Sequence, residues 1–172
     1  MVPHKGVFVA SVTPKEAKGV YEVRAVLEAF AAQLFAERAS DSEIRKLRAR
    51  LRDMDDAVKT KDPRRMLAVK ATFYDVILNG CDNEFCAAMI RSLQARIRYL
   101  RALSLSSPGR TPRSLEEMAK IVKAVEARDG DAAREAYMAH IQEAARVAIK
   151  ELSKYSLEPS RRARTSAAKS HF

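Results

Sequence analysis

Apolar residues recur every three or four positions through almost the whole chain, and a helix-start or helix-stop signal stands at most interruptions. Such spacing places apolar side chains on one face of a helix, whereas a half-buried strand would alternate them with polar ones. The segment Thr13–Glu16 is a capping box with proline at the first helical position, which predicts a first helix over about 14–38. Only residues 7–9 have the composition of a strand. The pattern therefore predicts an all-α fold preceded by a short strand.

The same signals divide the rest of the chain into further predicted helices. They are a second that opens at Ser40 or Asp41, a third from Asp62–Pro63 to about Asn79–Gly80, a fourth from about Asn83 to Leu103, a fifth that carries Leu115 to Val125, and a last one after Asp129–Gly130 that ends at about Leu152. We expect Gly80 to end the third helix as a C-terminal cap. A turn-rich stretch over 104–112 separates the fourth helix from the fifth. We therefore expect an antiparallel bundle of about six or seven helices.

The composition describes a globular chain of one domain. The 172 residues are 47% hydrophobic and 31% charged, which is typical of proteins that bury one core. No apolar run approaches the roughly 20 residues that span a bilayer, and the start has no signal-peptide pattern. These features predict a cytoplasmic protein without a membrane partner. Cys81 and Cys86 are predicted to be reduced core thiols, because no further cysteine or histidine lies close to them in sequence.

The formal net charge of +10 raises the possibility of nucleic-acid binding, since basic surfaces neutralise phosphates. The distribution of the charge argues against it. Part of the excess lies in a Ser/Ala-rich segment over 154–172 that has no apolar periodicity and is predicted to be disordered. Elsewhere, as over 44–52, the basic residues interleave with a helical apolar stripe. We interpret these runs as solvated helix faces.

Catalytic motifs are absent from the sequence. There is no G-x-S-x-G, no glycine-rich phosphate loop and no H-E-x-x-H, and the chain contains five glycines. Acidic pairs such as Asp55–Asp56 are adjacent in sequence, so they splay around a helix and do not converge. The sequence therefore predicts that the chain is not an enzyme and has no catalytic residues. A ligand sensor and a pure interaction module remain as alternatives.

Each residue of a helix is rotated by about 100° from the one before it. This geometry predicts that three cations face the interior of the bundle: Arg24, Lys70 and Arg96. Tyr74 lies beside Lys70 on the same face. A buried cation needs a counter-charge or a wet cavity, and a small carboxylate or phosphate ligand would supply one for all three. In the alternative interpretation Arg24 pairs with Glu28, while Lys70 and Arg96 extend to the surface.

Several short motifs occur in a definite order. They are Gly6–Ala10, Tyr21–Arg24 with Leu27–Glu28, Cys81–Asn83, Pro108–Arg110 before Ser114–Glu117, Gly130–Ala133, and Met138–His140. The first of these resembles the end of a DNA-binding wing. The ordered set over roughly 14–153 resembles the FadR C-terminal (FCD) effector-binding domain of GntR-family transcription regulators, FadR subfamily.

That resemblance implies a metal site, because many FCD domains bind a divalent metal through one Asp and three His. In this sequence the corresponding positions are Lys70, Tyr74, Met118 and His140. Only His140 is a suitable ligand, whereas such ions need three or four. We therefore predict a metal-free pocket with no cofactor. Its predicted ligand-binding residues are Arg24, Lys70, Tyr74, Arg96, Met118 and His140. A degenerated site that binds nothing is the alternative.

The resemblance also implies the domain organisation and the partners. Residues 1–12 are expected to be the residual wing strand and linker of a missing winged helix-turn-helix, 13–153 the FCD-like domain, and 154–172 the basic tail. We expect truncation of a longer regulator, with a stand-alone sensor as the alternative.

The implied function is that of a ligand-sensing, dimerising domain. It would bind a small anionic metabolite, an organic acid or acyl-coenzyme A, form a homodimer, and contact DNA only through the missing N-terminal domain. Effector binding would move the first helix through Arg24 and so change the spacing of the DNA-reading domains. A dimerisation module without a ligand is the alternative function.

Overall fold

The computed structural model describes residues 12–157, and the side chains of 155–157 are left aside. Within that range the chain forms seven α-helices: α1 Pro14–Arg38, α2 Asp41–Thr60, α3 Pro63–Gly80, α4 Glu84–Ser92, α5 Gln94–Ser106, α6 Arg110–Glu126 and α7 Gly130–Leu157. The prediction of an all-α bundle is confirmed. The predicted strand over 7–9 and most of the predicted basic tail lie outside the described residues.

Local capping determines where the first helices begin. The Thr13 hydroxyl accepts a hydrogen bond from the Glu16 backbone N–H at 3.2 Å, and the Glu16 carboxylate accepts one from the Thr13 N–H at 2.8 Å. Ser40 and Glu43 form the same reciprocal pair at the start of α2. These bonds satisfy donors that an isolated helix end leaves free, and they involve only residues three positions apart. The sequence therefore predicts these helix starts correctly.

The predicted fourth helix is in fact two helices, α4 and α5, which meet at Leu93. The Leu93 backbone has φ −95° and ψ 2°, and its N–H bonds to the Ile90 carbonyl three residues back. No glycine or proline marks the break, so the apolar pattern continues through it in the sequence. The change of direction places α4 against α1 and α5 against α7. Arg96 on α5 consequently lies on a different face than the unbroken helix predicts, whereas Ile97 and Leu100 are buried as predicted.

Gly80 does not cap α3, contrary to the prediction. It is the last residue of the helix, and the left-handed conformation occurs at Asp82, with φ 53°. A Cβ atom on Gly80 would lie 2.6 Å from Cε2 of Phe35, so the glycine allows α3 to pack closely on α1.

Two other predicted boundaries also differ. The fifth predicted helix begins at Arg110, within the stretch expected to be a turn, directly after Gly109 at φ 73°. The last helix continues to Leu157, five residues beyond the predicted end.

The long helices α1 and α7 pack against each other along the centre of the bundle, and α3, α5 and α6 surround them. The largest fully buried side chains include Phe35, Phe73, Met118, Tyr137 and Ile141. Cys81 and Cys86 are both buried and unbridged. No helix among residues 12–157 is both long enough and apolar enough to cross a membrane.

Candidate functional site

Ten polar side chains meet where α1, α3, α5, α6 and α7 converge, and we call them the polar cluster. They are Arg24, Glu28, Lys70, Tyr74, Arg101, Arg110, Ser114, Glu117, Tyr137 and His140. The four cations of the cluster, Arg24, Lys70, Arg101 and Arg110, are each at most 6% exposed. Charged side chains are rarely buried this deeply unless they are paired.

The first part of the polar cluster is an ion pair within α1. Arg24 Nε donates to Glu28 Oε1 at 2.7 Å, and the Tyr137 hydroxyl donates to Glu28 Oε2 at 3.0 Å. Burial alone would lower the pKa of Arg24, but the charge of Glu28 and its hydrogen bond outweigh burial and leave the pKa raised. The pairing of Arg24 with Glu28 that the sequence left open is therefore present, in the interior of the bundle.

Lys70 has no comparable partner. Its ammonium donates to the Ser114 hydroxyl at 2.5 Å and lies 5.7 Å from the centroid of the Tyr74 ring. Among the described residues no carboxylate oxygen lies within 4.0 Å of it. Burial, followed by the charges of Arg101 and Arg110, lowers the pKa of Lys70 well below its usual value of 10.5.

A chain of hydrogen bonds links α3, α7 and α6. The Tyr74 hydroxyl lies 2.8 Å from His140 Nε2, His140 Nδ1 lies 2.6 Å from Glu117 Oε2, and Arg110 donates to both Glu117 oxygens at 3.1 and 2.7 Å. Burial raises the pKa of Tyr74 to about 12, so its hydroxyl stays protonated at neutral pH. Burial, then the charge of Lys70, lowers the pKa of His140 well below 6.5. The imidazole is therefore neutral, with Tyr74 donating to Nε2 and Nδ1 donating to Glu117.

Arg101 and Arg110 carry buried donors that the described residues do not satisfy. The guanidinium carbon of Arg101 lies 4.1 Å from the centroid of the Tyr74 ring, close enough for a cation–π interaction. The Nε atoms of Arg101 and Arg110 have no hydrogen-bond partner in the described part of the chain. An unsatisfied buried donor costs about 1–3 kcal/mol. Each of these atoms could donate to an anionic oxygen.

The structure brings together five of the six predicted ligand-binding residues. Arg24, Lys70, Tyr74 and His140 belong to the polar cluster. Met118 is fully buried beside it, with its sulfur 3.9 Å from the Ser114 hydroxyl.

The prediction that Arg96 faces the interior is wrong, because Arg96 is exposed on α5. The error has a physical cause: the predicted arc joined Arg96 to Phe85 and Met89 across the break at Leu93. Phe85 and Met89 are themselves 86% and 58% exposed.

Sequence reasoning missed Arg101 and Arg110. Arg101 lies four residues after the buried Ile97, so counting α5 from Leu93 as a separate helix would have placed it on the inner face. Arg110 was assigned to a turn. Its position two helical turns before Glu117 becomes meaningful only when α6 is known to begin at residue 110.

The donor set does not suit a divalent metal. Among residues 12–157 no group of three or more His, Cys, Asp or Glu side chains is placed to hold an ion. Both ring nitrogens of His140 are engaged, by Tyr74 and Glu117, and the Lys70 ammonium lies nearby. These positions supply cations and hydrogen-bond donors where a divalent metal needs anionic or neutral ligands.

Comparison with known proteins shows what the chain is similar to. The model of the FCD domain family matches residues 19–143. The HTH-type transcriptional regulator YdhC of Bacillus subtilis (strain 168) is 23% identical over 137 residues, which are 78% of this chain and 61% of YdhC. The Nta operon transcriptional regulator of Aminobacter aminovorans is 31% identical over 104 residues, 60% of this chain and 49% of that protein. The chain thus spans about half to three fifths of these relatives.

Among solved structures, the FCD domain of TM0439, described as metal-free, superposes with a TM-score of 0.69 and 19% identity, over 83% of this chain and 98% of that one. At this identity the likeness concerns the fold alone. Both relatives named above are transcriptional regulators by name, in agreement with the sequence prediction that the chain is not an enzyme.

Proposed function

This chain belongs to the FCD domain family, and from that premise we propose that it is the ligand-sensing, dimerising domain of a GntR/FadR-type transcription regulator. Its effector is a small anionic metabolite, either an organic acid or an acyl-coenzyme A. Effector binding modulates the affinity of the regulator for DNA, and the protein acts in the cytoplasm.

The observation that carries this proposal is the excess of positive charge in the polar cluster. Three arginines, Arg24, Arg101 and Arg110, face two carboxylates, those of Glu28 and Glu117. Lys70 adds a further cation whenever it is protonated. Because a buried charge without a partner is costly, an anion from outside the described residues would stabilise this arrangement.

The proposed effector places its carboxylate or phosphate near Lys70, Arg101 and Arg110. The two free Nε donors offer directional hydrogen bonds. Lys70 offers a point charge, because a nearby anion would favour the protonated form of its amine. Met118 forms a soft apolar wall beside them. We propose that the polar cluster binds its effector without a metal, since the cations replace the charge that a metal would provide.

The proposed signal passes from the polar cluster to DNA through α1. Arg24 and Glu28 belong both to the polar cluster and to α1, so an effector that changes their contacts also moves this helix. In the proposed regulator DNA is read by a winged helix-turn-helix domain that α1 adjoins. The ligand-bound state would space two such domains differently, which is a shift between existing populations.

A homodimer fits the exposed apolar residues of α1 and α4. Val23, Val26 and Phe30 on α1 and Phe85 and Met89 on α4 are 37–86% exposed, although α1 and α4 pack against each other. Large exposed apolar residues on adjacent helices are typical of surfaces that associate. A second copy of the chain is the partner that we propose for them.

Calorimetry of the purified chain against succinate and acetyl-coenzyme A, together with metal analysis, tests the proposal. Lys70→Met keeps the length of the side chain and removes its charge, so it should weaken binding of whichever anion is bound. Lys120→Met, at an exposed position of α6, should leave the affinity unchanged. No binding by any tested anion, with no co-purified ligand by mass spectrometry, would support a ligand-free dimerisation module instead. Stoichiometric tightly bound metal would contradict the metal-free pocket.

A further inference from the structure

A groove of about 590 Å³ runs between α3 and α5 on the outside of the bundle. Its walls include Arg64, Leu67 and Ala71 from α3, and Arg98, Arg101 and Ala102 from α5. This volume lies within the range of small-molecule sites, about 300–1,000 Å³. The groove is therefore large enough to hold a metabolite.

The charges around the groove are all positive. Arg64 and Arg98 are exposed, whereas Arg101 is only 6% exposed. None of the described residues that line the groove is acidic. A concave surface with charges of one sign attracts ligands of the opposite sign. The groove thus favours an anion.

Arg101 belongs to both the groove and the polar cluster. It lines the groove, and its guanidinium carbon is 4.1 Å from the centroid of the ring of Tyr74, which bonds to His140. Its Nε has no partner among the described residues. A buried donor without a partner favours an acceptor, and because Arg101 also lines the groove, a ligand bound there could supply one.

Apart from the arginines, Gln94 and Tyr99, the residues that line the groove are apolar and mostly small. Leu67 and three alanines, Ala68, Ala71 and Ala102, leave the space between the two helices unfilled. Such a surface contacts hydrocarbon well but gives a highly polar molecule few hydrogen bonds. A groove with positive charge at one point and an apolar surface elsewhere complements a ligand that has an anionic group and an apolar body.

We infer that this groove binds an amphipathic organic anion, whose carboxylate engages Arg101 while its apolar body lies along Leu67, Ala71 and Ala102. The inference rests on the proposed function and deepens it, because it assigns the class of effector and the place of the effector's body. A medium-chain fatty acid fits this description. A short dicarboxylate has the charge but no apolar body, so it gains nothing from the groove.

The test uses octanoate and succinate as probes in calorimetry with the whole chain. Ala68 is exposed on α3 and lines the groove, so Ala68→Trp fills the groove without disturbing the core. We expect this variant to raise the Kd for octanoate at least about tenfold, because several methylene groups lose their contact. The Kd for succinate should change less than about twofold if its charge alone reaches Arg101.

Ala119→Trp is the matched control, since Ala119 is an exposed alanine on α6 outside the groove. It should leave both affinities unchanged, and thermal melts should show that both variants fold. An unaltered affinity of Ala68→Trp for octanoate would overturn the inference. If Lys70→Met still weakened binding in that case, the proposed function would stand without the groove.

Two results with the unmodified chain also test the groove and the proposed function. Binding of succinate without binding of octanoate would overturn the groove and leave the anionic sensor intact. Failure of every anion tested would overturn both proposals together.

Discussion

The Tyr74 hydroxyl and the Nε2 atom of His140 lie 2.8 Å apart, although the two residues are 66 positions apart in the chain. This bond joins α3 to α7 in the centre of the bundle. It also determines the tautomer of His140, because a protonated tyrosine hydroxyl donates to Nε2 and leaves the proton of the imidazole on Nδ1, where Glu117 accepts it. The polar cluster is therefore a connected structural unit as well as a candidate binding site.

Tyr74→Phe should destabilise the protein by about 1–2 kcal/mol, because it leaves His140 Nε2 buried without a donor. Urea unfolding followed by circular dichroism measures the effect. Tyr99→Phe, at a half-buried position on α5, is the control and should change stability by less than about 0.5 kcal/mol. Equal effects of the two substitutions would show that the Tyr74–His140 bond contributes nothing.

Glu28→Gln should cost about 3–5 kcal/mol of stability, because it leaves the buried Arg24 without its counter-charge. Glu22→Gln tests the same type of i, i+4 pair on the same helix at an exposed site, where we expect at most about 0.5 kcal/mol. The double substitution Arg24→Met with Glu28→Leu should recover much of the loss. Thermal denaturation of Arg24→Met, Glu28→Leu, the double variant and the unmodified protein completes the comparison, and a double variant whose loss equals the sum of the two single losses would contradict a coupled pair.

Lys70→Met should raise the free energy of unfolding by about 1–2 kcal/mol, because it removes a buried ammonium that has no carboxylate within 4.0 Å among the described residues. The same substitution is expected to weaken anion binding. Substitution of a functional-site residue typically increases stability and reduces function, because such a residue is retained for binding at a cost in stability. Chemical denaturation measures the gain, with Lys120→Met as the control. A less stable Lys70→Met variant would show that the hydrogen bond to Ser114 stabilises the fold by more than the buried charge destabilises it.

Stability should fall as the pH drops from about 6.5 toward 5, because the pKa of His140 is lower in the folded state than in the unfolded state. Below the unfolded value the unfolded chain binds a proton that the folded protein rejects, so acid favours unfolding. His140→Gln should show a shallower decline over this range. The other two histidines, His4 and His171, are present in both proteins, so their contributions cancel in the difference. Parallel pH profiles would contradict the lowered pKa.

Gly80→Ala should destabilise the protein by about 1–3 kcal/mol, because the new Cβ would lie 2.6 Å from Cε2 of the buried Phe35. Gly19→Ala is the matched control in α1, where a Cβ would meet nothing within 4 Å. There the better helix propensity of alanine should add about 0.5–1 kcal/mol. Thermal melts distinguish the opposite signs, and a stabilising Gly80→Ala would mean that α3 and α1 can separate slightly at no cost.

The starts of the first helices were predictable from the sequence because their causes are local. The capping boxes at Thr13 and Ser40 satisfy backbone donors within one helical turn. The break at Leu93 has no such local cause, since it follows from packing α4 on α1 and α5 on α7. That one difference accounts for the incorrect placement of Arg96 and for the failure to find Arg101.

The amino-acid sequence by itself determined the all-α class, the first helix boundaries, and the inward positions of Arg24, Lys70 and Tyr74. Each depends on helical periodicity and capping, which act within a few residues. Only the tertiary structure decided that Arg101 and Arg110 join them and that Arg96 does not. Helix phase after a break and the approach of separate helices depend on contacts between distant residues, which periodicity along one chain does not encode.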